Sequence, residues 1–130
     1  MKKSIVIFIS AIVLSGSAFA DLYKVYFEGP SNSVGKVWRY GFVVDLHFAE
    51  SGVITGEVKE FLGATGCRWP GIKIEGGNLP NGTFRWMTEE NPLKGCGKLV
   101  FIGKKEGEKL VGYLPRFQGV KIDLELEPTK

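Results

Sequence analysis

Short segments of alternating apolar and polar residues, cut at close intervals by glycine, constrain this 130-residue chain more than any other feature. The last segment is the clearest. Val120, Ile122, Leu124 and Leu126 fall on one face of an extended strand, and Lys121, Asp123, Glu125 and Glu127 on the other. Successive side chains of a strand point to opposite faces, so a period of two builds a strand with one apolar and one solvated face. Phe42, Val44, Leu46 and Phe48 repeat the pattern, with Asp45 and His47 opposite, and Phe84 and Trp86 share a face further on.

The segments predict strands at 22–27, 37–48, 53–61, 71–75, 83–88, 98–104, 108–114 and 117–127. The 18 glycines, about twice the usual share, sit mostly between them. Gly29-Pro30, Glu50-Ser51-Gly52 and Lys105-Glu106-Gly107 read as turns, and Asn81-Gly82 after Pro80 as a tight turn or longer loop. The β-branched and aromatic content around 45–50 argues against a helix there. The expected fold is therefore all-β: a single antiparallel meander of eight strands closing into a small barrel. A two-sheet β-sandwich is the competing architecture.

Before the first strand, Lys2 and Lys3 precede an apolar run at 5–14, and Ala18-Phe19-Ala20 follows with small residues spaced as signal peptidase requires. This pattern predicts a bacterial secretory signal peptide at 1–20 and a single domain at 21–130, working in the periplasm or outside the cell. The apolar run is too short to span a bilayer, and Asp21 rather than a cysteine directly follows the cleavage point, so no membrane anchor is expected. Loss of Lys2 and Lys3 lowers the net charge from +3 to +1, too little for a general attraction to nucleic acid or anionic lipid.

Cys67 and Cys96 are the only cysteines. In an exported chain two cysteines read as one disulfide. Two thiols with no histidine or second pair nearby make a poor metal site, and no calcium-loop pattern is present, so neither metal nor cofactor is expected.

Catalytic parts are sparse. The expected domain holds one histidine, His47, and three serines, Ser31, Ser33 and Ser51. Asp45 and His47 share a strand face, but no nucleophile elbow accompanies them. The stretch 29–36 departs from a phosphate loop in spacing and precedes a strand, so it is not read as a nucleotide site. The acidic stripe Asp123, Glu125 and Glu127 fits a charged edge that discourages aggregation. No enzyme is expected.

Arginine beside an aromatic residue does recur: Trp38-Arg39-Tyr40, Arg68-Trp69, Arg85-Trp86 and Arg116-Phe117. Trp, Tyr and Arg dominate the energetics of recognition surfaces. Trp86, in line with Phe84, reads as core. Trp69 lies in a glycine-rich loop beside Cys67, where a disulfide would hold it for contact. The sequence thus predicts an exported, non-catalytic protein that binds another protein, as an inhibitor, immunity factor or adhesion accessory does. The candidate contacts are Trp38, Arg39, Arg68, Trp69 and Arg116. The alternative is a barrel carrying a small apolar or sugar-like ligand in a cavity lined by Trp38, Trp86 and Tyr113.

Overall fold

A computed structural model describes residues 21–30, 36–63 and 66–129. The expected leader at 1–20 lies outside the described residues, as do Ser31 and Ser33. Eight strands follow in order: β1 (Asp21–Pro30), β2 (Val37–Phe48), β3 (Ile54–Leu62), β4 (Lys73–Asn78), β5 (Phe84–Thr88), β6 (Val100–Glu106), β7 (Lys109–Phe117) and β8 (Val120–Pro128). Each pairs antiparallel with its neighbour in sequence. β1 also pairs with β8 through Tyr23↔Pro128 and Lys24↔Glu127, so the sheet closes into a barrel rather than splitting into a sandwich.

The alternation places the core. Val25, Phe42, Val44, Leu46, Ile54, Val58, Ile74, Trp86, Phe101, Leu110, Leu114, Leu124 and Leu126 all point inward and are buried. An eight-stranded barrel has an interior just wide enough for side chains to fill. Trp86 occupies its middle, stacked on Phe101 at 5.6 Å between ring centroids and edge-on to Phe42 at 6.3 Å. The outer wall carries Lys24, Glu28, Arg39, Lys73, Glu75, Arg85, Lys104, Lys121, Asp123 and Glu125, all exposed. That is the reverse of the apolar-out pattern of a membrane barrel. Among the described residues, no helix is long and apolar enough to cross a membrane.

Strand ends differ from the sequence reading for identifiable reasons. Gly29-Pro30 is part of β1 rather than a turn after it. Both residues pair with Trp38 and Val37, and a proline is tolerated at a strand terminus. β4 runs on through Gly76 because glycine is what permits it: a Cβ there would strike the carbonyl oxygen of Arg85 on β5. Asn81-Gly82 does turn the chain, inside the three-residue turn Pro80–Gly82. Both residues have positive φ, and the Leu79 N–H donates to the Thr83 carbonyl at 2.8 Å to close the loop.

Two irregularities in the pairing shape one end of the barrel. Val43 pairs with Glu60 and Val44 with Val58, so Lys59 is an extra residue in β3. This bulge lets both Val58 and Phe61 turn toward the core. On β7, Leu114 pairs with Ile122 and Phe117 with Val120, which sets Pro115 and Arg116 together opposite Lys121. The Gln118-Gly119 turn follows, both residues at positive φ. Pro115 has no N–H to give a ladder and fits a bulge, so it interrupts the strand without ending it.

Candidate partner-binding site

The up-and-down order sends the connections after β1, β3, β5 and β7 to one end of the barrel. All five recognition candidates lie toward that end, in β2, β7 and the β3–β4 connection, and so do both cysteines. Cys67 and Cys96 form the expected disulfide, 29 residues apart in sequence with Cα atoms 5.8 Å apart. It joins the β3–β4 loop to the β5–β6 loop.

A second tie lies beside it. Asn91 is 4 % exposed. Its Nδ2 donates to the Arg68 carbonyl at 2.9 Å, its Oδ1 accepts from the Leu93 N–H at 2.9 Å, and its own N–H donates to the Gly97 carbonyl at 3.0 Å. The root of the same loop is held by Thr88, whose N–H donates to the Leu99 carbonyl and whose hydroxyl oxygen accepts from the Leu99 N–H, each at 2.9 Å. On the other loop, the Ile72 N–H donates to the Trp69 carbonyl at 3.0 Å, and the Gly71 N–H to the Val58 carbonyl at 2.8 Å. Buried polar groups satisfied in this way hold both loops in one arrangement.

Between the tied loops and the β7–β8 turn lies a cleft of about 700 Å³. Trp69, Leu99 and Phe117 form a buried floor. Leu93, Lys94, Lys98 and Arg116 stand exposed around it. Beneath the floor an aromatic cluster closes the barrel. Trp69 packs on Phe61 at 5.7 Å, Phe61 on Tyr40 at 6.5 Å, Tyr40 edge-on to Phe117 at 4.8 Å, and Phe117 edge-on to Phe27 at 5.3 Å. The Tyr40 hydroxyl donates to the Pro30 carbonyl at 2.7 Å, and burial raises its pKa above the usual tyrosine value.

The structure treats the candidates differently. Trp69 is 5 % exposed, packs with the core cluster at the barrel end, and reaches the cleft only as part of its floor, on a loop held by the disulfide and Asn91. Arg116 does line the cleft, aimed there by the β7 bulge. Arg68 is exposed but lies outside the cleft lining. Trp38, 45 % exposed, pairs across from Gly29 at the start of β2, and Arg39 pairs across from Glu28. Neither Trp38 nor Arg39 lines the cleft. Leu93, Lys94, Lys98 and Asn91 were missed by the sequence reading. The available signal was the run Lys94-Gly95-Cys96-Gly97-Lys98, which sets two cations around the bridged cysteine.

Other candidates do not converge. Trp86 is enclosed in the core, Trp38 sits at the barrel end, and Tyr113 is half-buried with Lys121 Nζ 4.6 Å from its ring centroid. Tyr113 takes an outward-facing position of β7, opposite to buried Leu110 and Leu114, so it does not face the interior with Trp86. His47 and Asp45 pair across from Thr55 and Glu57 on β3, and Asp45 Oδ1 is buried without a hydrogen-bond partner among the described residues. No group of three or more His, Cys, Asp or Glu side chains gathers as a metal site among the described residues. Comparison with known proteins finds no matching family, no matching curated sequence and no matching solved structure. The class to which fold and site assign this chain is a closed eight-stranded meander barrel whose disulfide-tied end carries an open cleft.

Proposed function

We propose that this chain is a non-catalytic binding protein acting outside the cytoplasm, and that the cleft receives part of a partner protein. The observation that carries this reading is the way the cleft is built. Two loops are fastened to each other by a disulfide and a buried asparagine, and together with the β7–β8 turn they enclose an apolar floor within a polar rim. Preorganised sites of this kind lose little ordering entropy on association. The arrangement of apolar centre and polar rim is also that of protein interfaces. The described lining residues are aromatic, aliphatic, glycine, cationic and amide side chains with the disulfide, a set suited to contact rather than to nucleophile–base chemistry. The disulfide is compatible with an oxidising compartment.

Gly66 offers a test. It lines the cleft, its φ lies outside the left-handed region, and a Cβ built on it meets no described atom within 4 Å. Gly66→Trp therefore adds bulk at the cleft wall without displacing a described atom at Cβ. Complexes recovered from the envelope of the producing cell are compared by native mass spectrometry for wild type, Gly66→Trp and a control at the opposite end, Glu108→Lys. Wild type and control should retain the same protein partner, and Gly66→Trp should lose it. Retention by Gly66→Trp would remove the cleft as the binding site.

A further inference from the structure

The charge of the cleft is lopsided. Its described lining holds Lys94, Lys98 and Arg116 and no aspartate or glutamate. The chain as a whole carries 17 basic and 14 acidic residues, so this concentration is local. Among the described residues, none of the three cations forms an ion pair. The ion pairs among the described residues are Lys59–Glu57 at 3.6 Å, Lys104–Glu106 at 3.4 Å, Lys109–Glu125 at 3.4 Å and Lys121–Asp123 at 3.9 Å, and none of them lies in the cleft lining. Glu75 and Glu89 border a second groove beside Lys73, and Lys98 lines both that groove and the cleft, so Lys94 and Arg116 are the two cations that face the cleft alone. The three cations come from two separate parts of the chain, and the β7 bulge brings the arginine to the lysines.

Resting on the reading of the cleft as the partner site, we infer that its occupant is an acidic peptide segment: a loop or terminus of the partner with carboxylates flanking an apolar side chain. The carboxylates face Lys94, Lys98 and Arg116, and the apolar side chain reaches Leu93 and the Phe117 floor. Arginine can take a carboxylate through two parallel hydrogen bonds, while the lysines act as point charges. The apolar floor distinguishes this occupant from a polyanion such as nucleic acid, which would need a broad basic stripe rather than three cations around an aromatic base. Charge complementarity of this kind selects the partner and speeds its encounter.

The test uses three synthetic peptides of equal length sharing a central Leu-Phe pair, flanked by glutamates, glutamines or lysines. Each is titrated into isotope-labelled protein, and amide shifts are followed. The glutamate peptide is expected to shift amides at 93–99 and 116–119 and to bind roughly tenfold tighter than the glutamine peptide at low salt. The advantage should shrink as ionic strength rises, since exposed charges are screened. Lys98→Glu with Arg116→Glu, both at exposed positions, should invert the order of glutamate and lysine peptides. Equal binding of glutamate and glutamine peptides, shifts mapping elsewhere, or no binding of the glutamate peptide would each overturn the inference. So would its displacement by a DNA oligonucleotide of equal charge. If glutamate and glutamine peptides bind equally and Gly66→Trp blocks both, the acidic occupant is wrong and the cleft reading stands. If Gly66→Trp blocks neither, the cleft reading falls too.

Discussion

Trp69→Ala separates a recognition anchor from a structural plug. The indole is 5 % exposed, lies 5.7 Å from the Phe61 ring, and belongs to the core cluster. Truncating a buried tryptophan typically costs about 3–5 kcal/mol, because the removed atoms lose their burial and the site collapses only in part. The disulfide beside it and the Asn91 bonds restrain the loop from closing the gap, which favours the upper part of that range. For a domain near this size such a loss lowers Tm by roughly 10–20 °C. Trp38→Ala, at the same barrel end but 45 % exposed, should cost only about 1 kcal/mol. Far-UV circular dichroism under urea, with the disulfide kept oxidised, reads both variants without relying on tryptophan emission. If Trp69→Ala lost less than about 1 kcal/mol while partner binding vanished, Trp69 would be a displayed anchor and the plug assignment would be wrong.

Breaking the bridge with Cys67→Ser and Cys96→Ser should lower stability by about 3.6 kcal/mol, the chain-entropy value for a loop of that length. Urea midpoints with and without reductant would measure it, and a wild-type midpoint insensitive to reductant would contradict it. Gly76→Val should cost at least about 1–3 kcal/mol, since the new side chain meets the Arg85 carbonyl and the Trp86 backbone. Gly66→Ala should leave the urea midpoint within error. Burial raises the pKa of Tyr40, and burial followed by the nearby Asp21 charge raises that of Tyr23, both from 10.0. A raised folded-state pKa gives stability that is fully present below pH 10 and lost as pH climbs through the folded values. Ring resonances of Tyr23 and Tyr40 followed by NMR should therefore stay at their neutral positions at pH 10 in the folded protein. Ionisation of both at or below pH 10 with the fold intact would rule that out.

Local residue choice settled the architecture class. Val120 to Glu127 alternates whatever its neighbours are, Asn81-Gly82 accepts positive φ on its own account, and two cysteines in one domain have only each other as intramolecular partners. Such features depend on one stretch of chain, or on a count, and can be read directly. Even so, Pro115-Arg116 reads locally as a break. Only pairing with β8 shows that it is a bulge, because a missing N–H ends a ladder or interrupts it depending on what lies across the strand. Barrel closure is likewise non-local: the alternation of β1 is the same whether its outer edge is bare or hydrogen-bonded to β8. The burial of Trp69 was not legible locally, because it depends on loops joined from 29 residues away, and no property of Arg68-Trp69-Pro70 carries that distance. The cleft belongs to tertiary structure for the same reason. Lys94, Lys98 and Arg116 become neighbours only when a disulfide, a buried asparagine and a strand bulge bring separate segments to one end of the barrel.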